Sequence, residues 1–246
     1  MTESFGSAFI AGFGPGLGKE TALKLIAEGL SAGMLARSAG PLEDMRVKHG
    51  SGLLPVPADV TDAEAVEAAV DHVESVLGPI KYAVIDAKVF LKGSILDFAP
   101  SEFERAWRVG AYGRFVSRPT AAKRMVARKK GTIIFSDATA SLRGDATSFG
   151  FSGSKFGLRF VAQCMTRELL LQGTYVVHVI IDGVIKGHKH DDPGEDAHMH
   201  PKDLAEIYVN LHRQPRSTWT HELDVRPWCE NSEERRSYDR YQNPHS

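Results

Sequence analysis

The chain has 246 residues, enough for one large α/β domain with a sizeable core, and its 42% hydrophobic and 25% charged content is ordinary for a globular protein. Thirty Lys and Arg against 31 Asp and Glu leave a net charge of −1, so no global field draws nucleic acid or an anionic membrane. Two cysteines, Cys164 and Cys229, are too few for a disulfide framework; no run reaches the about 18 apolar residues of a membrane span, and Met1 to Ser7 lack the charged start of a signal peptide, so the expected location is the cytoplasm.

Short apolar runs then alternate with helical patterns, as repeated βα units around a mainly parallel sheet require. Ser7 to Ala11 reads as the first strand, followed by a glycine turn and a helix from Leu17 to Glu28. Gly33 to Ala36 and Leu53 to Val56 read as the second and third strands. Thr61 and Glu64 have the spacing of a capping box, Val66, Val70, Val73 and Leu77 follow at helical spacing, and Gly78-Pro79 stops the helix. Tyr82 to Ile85 is the fourth strand. Ser101 and Glu104 offer a second capping box before a long helix toward Val126, with a kink expected at Pro119.

Thr132 to Phe135 is the fifth strand and Ser154 to Leu171 the next long helix, in which Cys164 falls among Val161, Met165 and Leu169 and is expected to be a buried, inert thiol. Tyr175 to Ile181 has the composition of a strand covered on both faces. A short helix from Pro201 to His212 and a last strand from Glu222 to Val225 complete a domain spanning residues 1–229. The polar tail, 230–246, reads as disordered.

The run Ala11-Gly-Phe-Gly-Pro-Gly-Leu-Gly18 sits between a strand and a helix. That context aims backbone N–H groups and the positive helix end at a diphosphate. Gly12 serves the tight turn, Gly16 the approach of phosphate and Gly18 the close packing of helix on strand. Arg37 follows the second strand, where a cation favours a ribose 2′-phosphate; the alternative is a solvated loop arginine. Asp59-Val60 follows the third strand and is placed to meet an adenine ring, or else simply to turn the chain.

Gly12-Phe-Gly-Pro-Gly-Leu-Gly18, Ala58-Asp-Val-Thr-Asp62 and Ser154-Lys155 together resemble the short-chain dehydrogenase/reductase family over roughly residues 5–185, and more loosely through Trp228. The resemblance implies a single Rossmann-fold domain, a doubly wound seven-stranded sheet with helices on both faces, and a homodimer or homotetramer. It implies bound NADP(H) or NAD(H), with Arg37 favouring NADP(H). The cofactor contacts it implies are Gly12, Gly16, Leu17, Gly18, Arg37, Asp59, Val60, Asp86, Ala87, Lys155, Gly183 and Val184.

The family's chemistry uses a tyrosine, a lysine four residues later, a serine thirteen residues before the tyrosine, and an asparagine that supports a water relay to the lysine. A phenol near pKa 10 needs a neighbouring cation to work near neutrality. Phe151-Ser-Gly-Ser-Lys155 supplies Lys155 but puts Phe151 at the tyrosine position; the serine position is Ala138 and the asparagine position, in Trp107-Arg-Val-Gly-Ala111, is Gly110. Asp86-Ala87-Lys88 stands where the family has Asn-Ala-Gly, and Asp182-Gly183 where it has Pro-Gly. Thr139-Ala-Ser-Leu-Arg-Gly144, Phe156-Gly-Leu-Arg159 and His221-Glu-Leu-Asp-Val-Arg-Pro-Trp228 are similar to a divergent branch in which phenylalanine replaces the tyrosine.

Thr139 and Asp137 are candidate replacements, as a hydroxyl donor and a base, against plainer roles as turn or capping residues. Ser136, Ser148 and Ser152 lie nearby, and Tyr112 is the nearby phenol. His188, His190, His198 and His200, with Asp191, Asp192, Glu195 and Asp196, crowd one stretch that could ligate a metal but reads better as a polar lid, so no metal is expected. The expected function is an NADP(H)-dependent oxidoreductase acting on a small carbonyl, enone or imine. The alternatives are a cofactor-binding pseudoenzyme and a non-redox isomerase or cyclase with Asp137 or Asp182 as base. No nucleic-acid or membrane partner is expected.

Overall fold

Alternation along each strand builds two cores on one sheet. In β1 (Ser7–Ala11) the side chains of Phe9 and Ala11 pack on one face and those of Ala8 and Ile10 on the other. All five residues are buried, as a strand covered on both sides must be. The same holds for β6 (Thr174–Ile181) over its whole length. With β2 (Ser31–Ala36), β3 (Leu53–Pro57), β4 (Ile80–Ile85), β5 (Gly131–Ala138) and β7 (Glu222–Val225), these strands form a seven-stranded parallel sheet in the order β3-β2-β1-β4-β5-β6-β7. The computed structural model describes residues 6–86, 90–91, 93–187 and 197–228. Ala87, Lys88, His188, His190, Asp191, Asp192, Glu195, Asp196, Cys229 and the tail 230–246 lie outside the described residues.

Helices α3 (Ala63–Leu77), α5 (Gly113–Ala127) and α6 (Phe149–Leu169) cover one face, where Val66, Val70, Val73, Met125, Leu158 and Val161 meet Phe9, Ile85 and Phe135. Helices α1 (Leu17–Ala27) and α7 (Pro201–His212) cover the other, packing Leu25, Leu204 and Tyr208 on Ile10, Val84 and Val177. The order of strands reverses between β1 and β4, and ligands of open α/β sheets bind at the carboxyl ends beside such a reversal. No helix among the described residues is long and apolar enough to cross a membrane.

Several sequence expectations are corrected. Helix α2 (Ala39–His49) has no counterpart in the sequence reading, because Leu42 is its one buried residue and apolar periodicity is absent. The α3 N-cap is Asp62, which accepts from the Ala65 amide at 3.0 Å, while Thr61 donates its amide and hydroxyl to Asp59, each at 2.8 Å. Ser101 caps nothing: α4 (Pro100–Trp107) starts one residue earlier with proline at its first position. The backbone stays helical through residue 119, and the change in winding comes before it, in a π-helical turn at Arg108–Tyr112. Strand β5 runs on through Asp137 and Ala138, so Asp137 is a buried strand residue rather than a turn. Helix α6 begins at Phe149 and carries Phe151, and Cys164 is exposed on it.

Leu42 anchors α2 alone, so its loss should cost more locally than globally. Leu42→Ala is expected to destabilise the protein by about 2–4 kcal/mol in urea unfolding. Amide exchange in residues 39–49 should accelerate well beyond that of β1.

Candidate active site

Gly12 has φ of +88°, a conformation that side-chain-bearing residues rarely adopt, and it turns the chain out of β1. A Cβ at Gly14 or Gly16 would meet no atom within 4 Å, whereas one at Gly18 would lie 3.3 Å from the Phe13 Cα. The turn therefore presents bare backbone at Gly14 and Gly16 and packs tightly at Gly18. Gly16 precedes α1 without any side-chain cap, which leaves the positive end of the helix turned to the cleft. These features fit a nucleotide diphosphate.

The cleft measures about 680 Å3. Gly12, Gly16, Leu17, Gly18, Arg37, Asp59, Val60 and Asp86 all line it. Gly183 and Val184 are half-buried beside it without lining it, and their neighbour Ile185 does. Asp59 both turns the chain and faces the cleft: the Thr61 amide holds its carboxyl below the usual range against the opposing effect of burial, with help from the Thr61 hydroxyl and the Arg37 charge. Helix α2 adds Lys48 to the wall that carries Arg37. Sequence reading missed Lys48 because it missed the helix.

The three positions that the family resemblance leaves vacant, Phe151, Ala138 and Gly110, are each packed among neighbours. Phe151 packs edge-on against Phe90 with centroids 5.0 Å apart. Lys155 is buried, its Nζ 5.4 Å from the centre of the Phe151 ring. Ala138 ends β5, and Thr139, in the short helical turn after it, donates its hydroxyl to Asp182. Asp182 also lies 3.4 Å from Arg226. Thr139 and Asp182 are thus tied to one another. Gly110 lies in the π-helical turn, and a Cβ there would come within 2.5 Å of both Cβ and Oγ of Ser154. The space for an asparagine side chain is filled.

Asp137 is the group that the structure promotes. Its Oδ1 lies 3.1 Å from Lys155 Nζ and its Oδ2 lies 2.6 Å from His178 Nε2. The His178 Nδ1 lies 3.0 Å from Glu222 Oε2, and Arg159 donates to both oxygens of Glu222 at 2.9 and 2.7 Å. Asp137, His178 and Lys155 are each at most 3% exposed, while Glu222 opens to solvent. Burial opposes ionisation of Glu222, but Arg159 and His178 outweigh it and hold the carboxyl below the usual range. Sequence reading missed His178, Glu222 and Arg159. One signal was present: His178 is the charged-capable residue in an otherwise sealed strand, and such a group must find partners.

The other candidates fall elsewhere. Tyr112 is exposed, Ser136 and Ser148 are buried, and the buried Ser152 Oγ has no hydrogen-bond partner among the described residues. Tyr175, second in β6, donates to Gln214 at 2.8 Å and stacks on Trp219, at the end of the sheet opposite Asp137. His198 is buried, and His200 precedes α7.

Comparison with known proteins finds the same fold. A family model described as short chain dehydrogenase matches residues 7–192. The chain is 30% identical over 176 residues to the 3-dehydrosphinganine reductase of Arabidopsis thaliana, covering 69% of this chain and 53% of that protein. It is 23% identical to an uncharacterized oxidoreductase of Staphylococcus aureus, covering 89% and 96%. A crystal structure of a short-chain dehydrogenase from Rhodopseudomonas palustris superposes with a TM-score of 0.79 at 30% identity, covering 91% of this chain and 99% of the other. A metagenomic short-chain oxidoreductase in complex with NADP gives a TM-score of 0.77 at 22% identity, covering 91% and 97%.

The filled space at Gly110 makes a prediction. Gly110→Asn alone should destabilise by about 1–3 kcal/mol through overpacking against Ser154, measured by urea unfolding. Adding Ser154→Gly should recover most of the loss.

Proposed function

Because the chain belongs to the short-chain dehydrogenase family, whose members are oxidoreductases that bind a nicotinamide cofactor, we propose that it is an NADP(H)-dependent oxidoreductase with an atypical active site, exchanging hydride with a small carbonyl, enone or imine. One observation carries this reading: the glycine turn and the two cations Arg37 and Lys48 line a single cleft at the sheet reversal. Bare backbone at Gly14 and Gly16 and the uncapped start of α1 would hold the diphosphate. Arg37 and Lys48 would hold the 2′-phosphate, and Asp59 and Val60 the adenine.

The cofactor, when bound, supplies hydride; the chain supplies orientation and the proton. Phe151 has no exchangeable proton, so the usual phenol cannot serve. Lys155, ion-paired with Asp137, is the buried cation beside the Phe151 ring and the group placed to offset developing negative charge. That arrangement suits a conjugated or otherwise activated acceptor better than a simple ketone. Relatives named as a 3-dehydrosphinganine reductase and a 3-oxoacyl-[acyl-carrier-protein] reductase support reduction as the reaction class.

A second reading, a cofactor-binding pseudoenzyme, draws on the three vacant positions and on the engagement of Thr139 by Asp182. Transfer of deuterium from 4-deuterated NADPH to an enone or imine panel separates the two.

We also propose a homo-oligomer, formed through the exposed stripe of Phe156, Phe160 and Cys164 on α6 beside Trp107, Tyr112 and Phe115. Phe160→Glu is expected to yield monomers by light scattering, while a wild type that is itself monomeric would sink the idea.

The cofactor preference is tested by fluorescence titration. Wild type should bind NADPH more tightly than NADH. Arg37→Asp should weaken NADPH roughly 10- to 100-fold, equal to about 1.4–2.8 kcal/mol, and abolish the preference. Equal wild-type affinities would overturn the NADP(H) assignment.

A further inference from the structure

The cofactor cleft opens at the carboxyl ends of the strands. A second cavity, of about 600 Å3, opens at their amino ends, on the face covered by α1 and α7. Leu25 in α1, Leu30 beyond it, Val209 in α7 and Trp219 form its apolar wall. Trp219 lies flat on Tyr175, the rings 4.9 Å apart and 9° from parallel. Among the described residues that line the cavity, Lys81 on β4, Lys130 just before β5, and Arg213 and Arg216 beyond α7 set four cations against one carboxylate, Glu28.

That imbalance is local, because the whole chain carries a net charge of −1. Cations at helix C-termini have a plain structural use, since each such end carries roughly half a negative charge. Helices α1 and α7 both end at this cavity. Their two ends offset roughly one cation and Glu28 offsets another, which leaves an excess of about two positive charges. Glu28 is the partner of Arg213 and is itself shared with Lys24, so it neutralises no more than that. Arg216 donates to the Lys129 carbonyl at 2.6 Å, with its guanidinium 5.7 Å from the centre of the Trp219 ring.

His212 stands among these charges at the end of α7. Its Nδ1 lies 2.8 Å from the Oγ1 of the buried Thr132, and its ring meets Tyr82 edge-on. The groups facing it are Lys81 and Tyr82 from β4, Lys130 and Thr132 at the start of β5, and Arg213 beyond α7. Burial pushes the imidazole pKa down, and the charges of Lys130, Lys81 and Arg213 push it the same way. An anion placed among those cations acts in the opposite sense and raises it.

We propose that this cavity is a second ligand site, for a small phosphate monoester held by Lys81, Lys130 and His212, with its organic part on Trp219 and the aliphatic wall. A phosphate monoester carries about −1.5 to −2 at pH 7 in one compact group, which matches the excess where a single carboxylate would not. The cavity is far larger than an inorganic ion needs and falls in the roughly 300–1,000 Å3 range of small-molecule sites. It lies at the other end of the sheet from Arg37 and Lys48, and its ligand is independent of the redox reading.

The test is a titration of the full-length protein, labelled at its histidine rings, with phenyl phosphate at constant ionic strength. The NMR signal of His212 is assigned by its loss in His212→Gln. Phenyl phosphate should shift that signal saturably with a Kd below about 1 mM. It should also raise the His212 titration midpoint by about half a pH unit or more. Phenol, which lacks the charge, and inorganic phosphate, which lacks the ring, should each bind at least tenfold more weakly. Lys81→Gln with Lys130→Gln should weaken phenyl phosphate at least tenfold with circular dichroism unchanged, and Lys81→Arg with Lys130→Arg should retain it. Arg37→Asp, which disables the cofactor cleft, should leave the His212 shift intact. A shift matched by phenol or by sodium chloride overturns the site in wild type alone, without any variant. So does a shift that is lost in Arg37→Asp or indifferent to the glutamine pair. Equal affinity for inorganic phosphate overturns the monoester. Failure of NADPH to bind the same sample bears on the redox reading only.

Discussion

A lysine ammonium held at 3% exposure between helix α6 and the parallel sheet demands an anion, and much of the packing around it follows from that demand. Moving one such charge out of water costs several kcal/mol even after relaxation, and removing its partner typically costs about 3–5 kcal/mol. Asp137 meets the demand and is itself buried, so it requires further donors. His178 is the next, and Glu222 and Arg159 carry the sequence of charges to the surface, where water completes it. Each step is forced by the preceding one, because no group in the chain can stand unpaired at that depth.

Two regions differ in what shapes them. In the cleft beside the glycine turn it is backbone: the positive φ of Gly12 and the open space at Gly14 and Gly16 present bare main chain that suits a diphosphate. Around Lys155 it is side chains: the Phe151 ring lies against Lys155, Ser154 fills the space at Gly110, and Asp137 is the partner of the lysine. These contacts fit together, since each fills space or meets charge that another leaves.

Legibility varied with the kind of signal. Strands β1 and β7 and helix α7 stand where the sequence places them, since apolar runs bounded by glycine and proline are local signals. Helix α2 was invisible because one buried leucine makes no periodicity. Cys164 looked buried because its neighbours Val161 and Met165 are, yet a helix of 21 residues has an outer face, and Cys164 shares it with Phe156 and Phe160. Asp137 looked like a turn former because strand β5 was cut short at Phe135.

The sequence by itself determined the parallel sheet, the glycine turn between β1 and α1, the cation at Arg37 and the residue types at Phe151, Ala138 and Gly110. All are statements about residue type at fixed local spacing. Only the tertiary structure decided that Lys48 joins Arg37, that Ser154 fills the space beside Gly110, and that Asp137, His178 and Glu222 line up beside Lys155. Those residues are 41 and 44 positions apart along the chain and meet because three strands pair in one register. Register between distant strands is set by the burial of both faces of the whole sheet, a property that no local window of sequence contains.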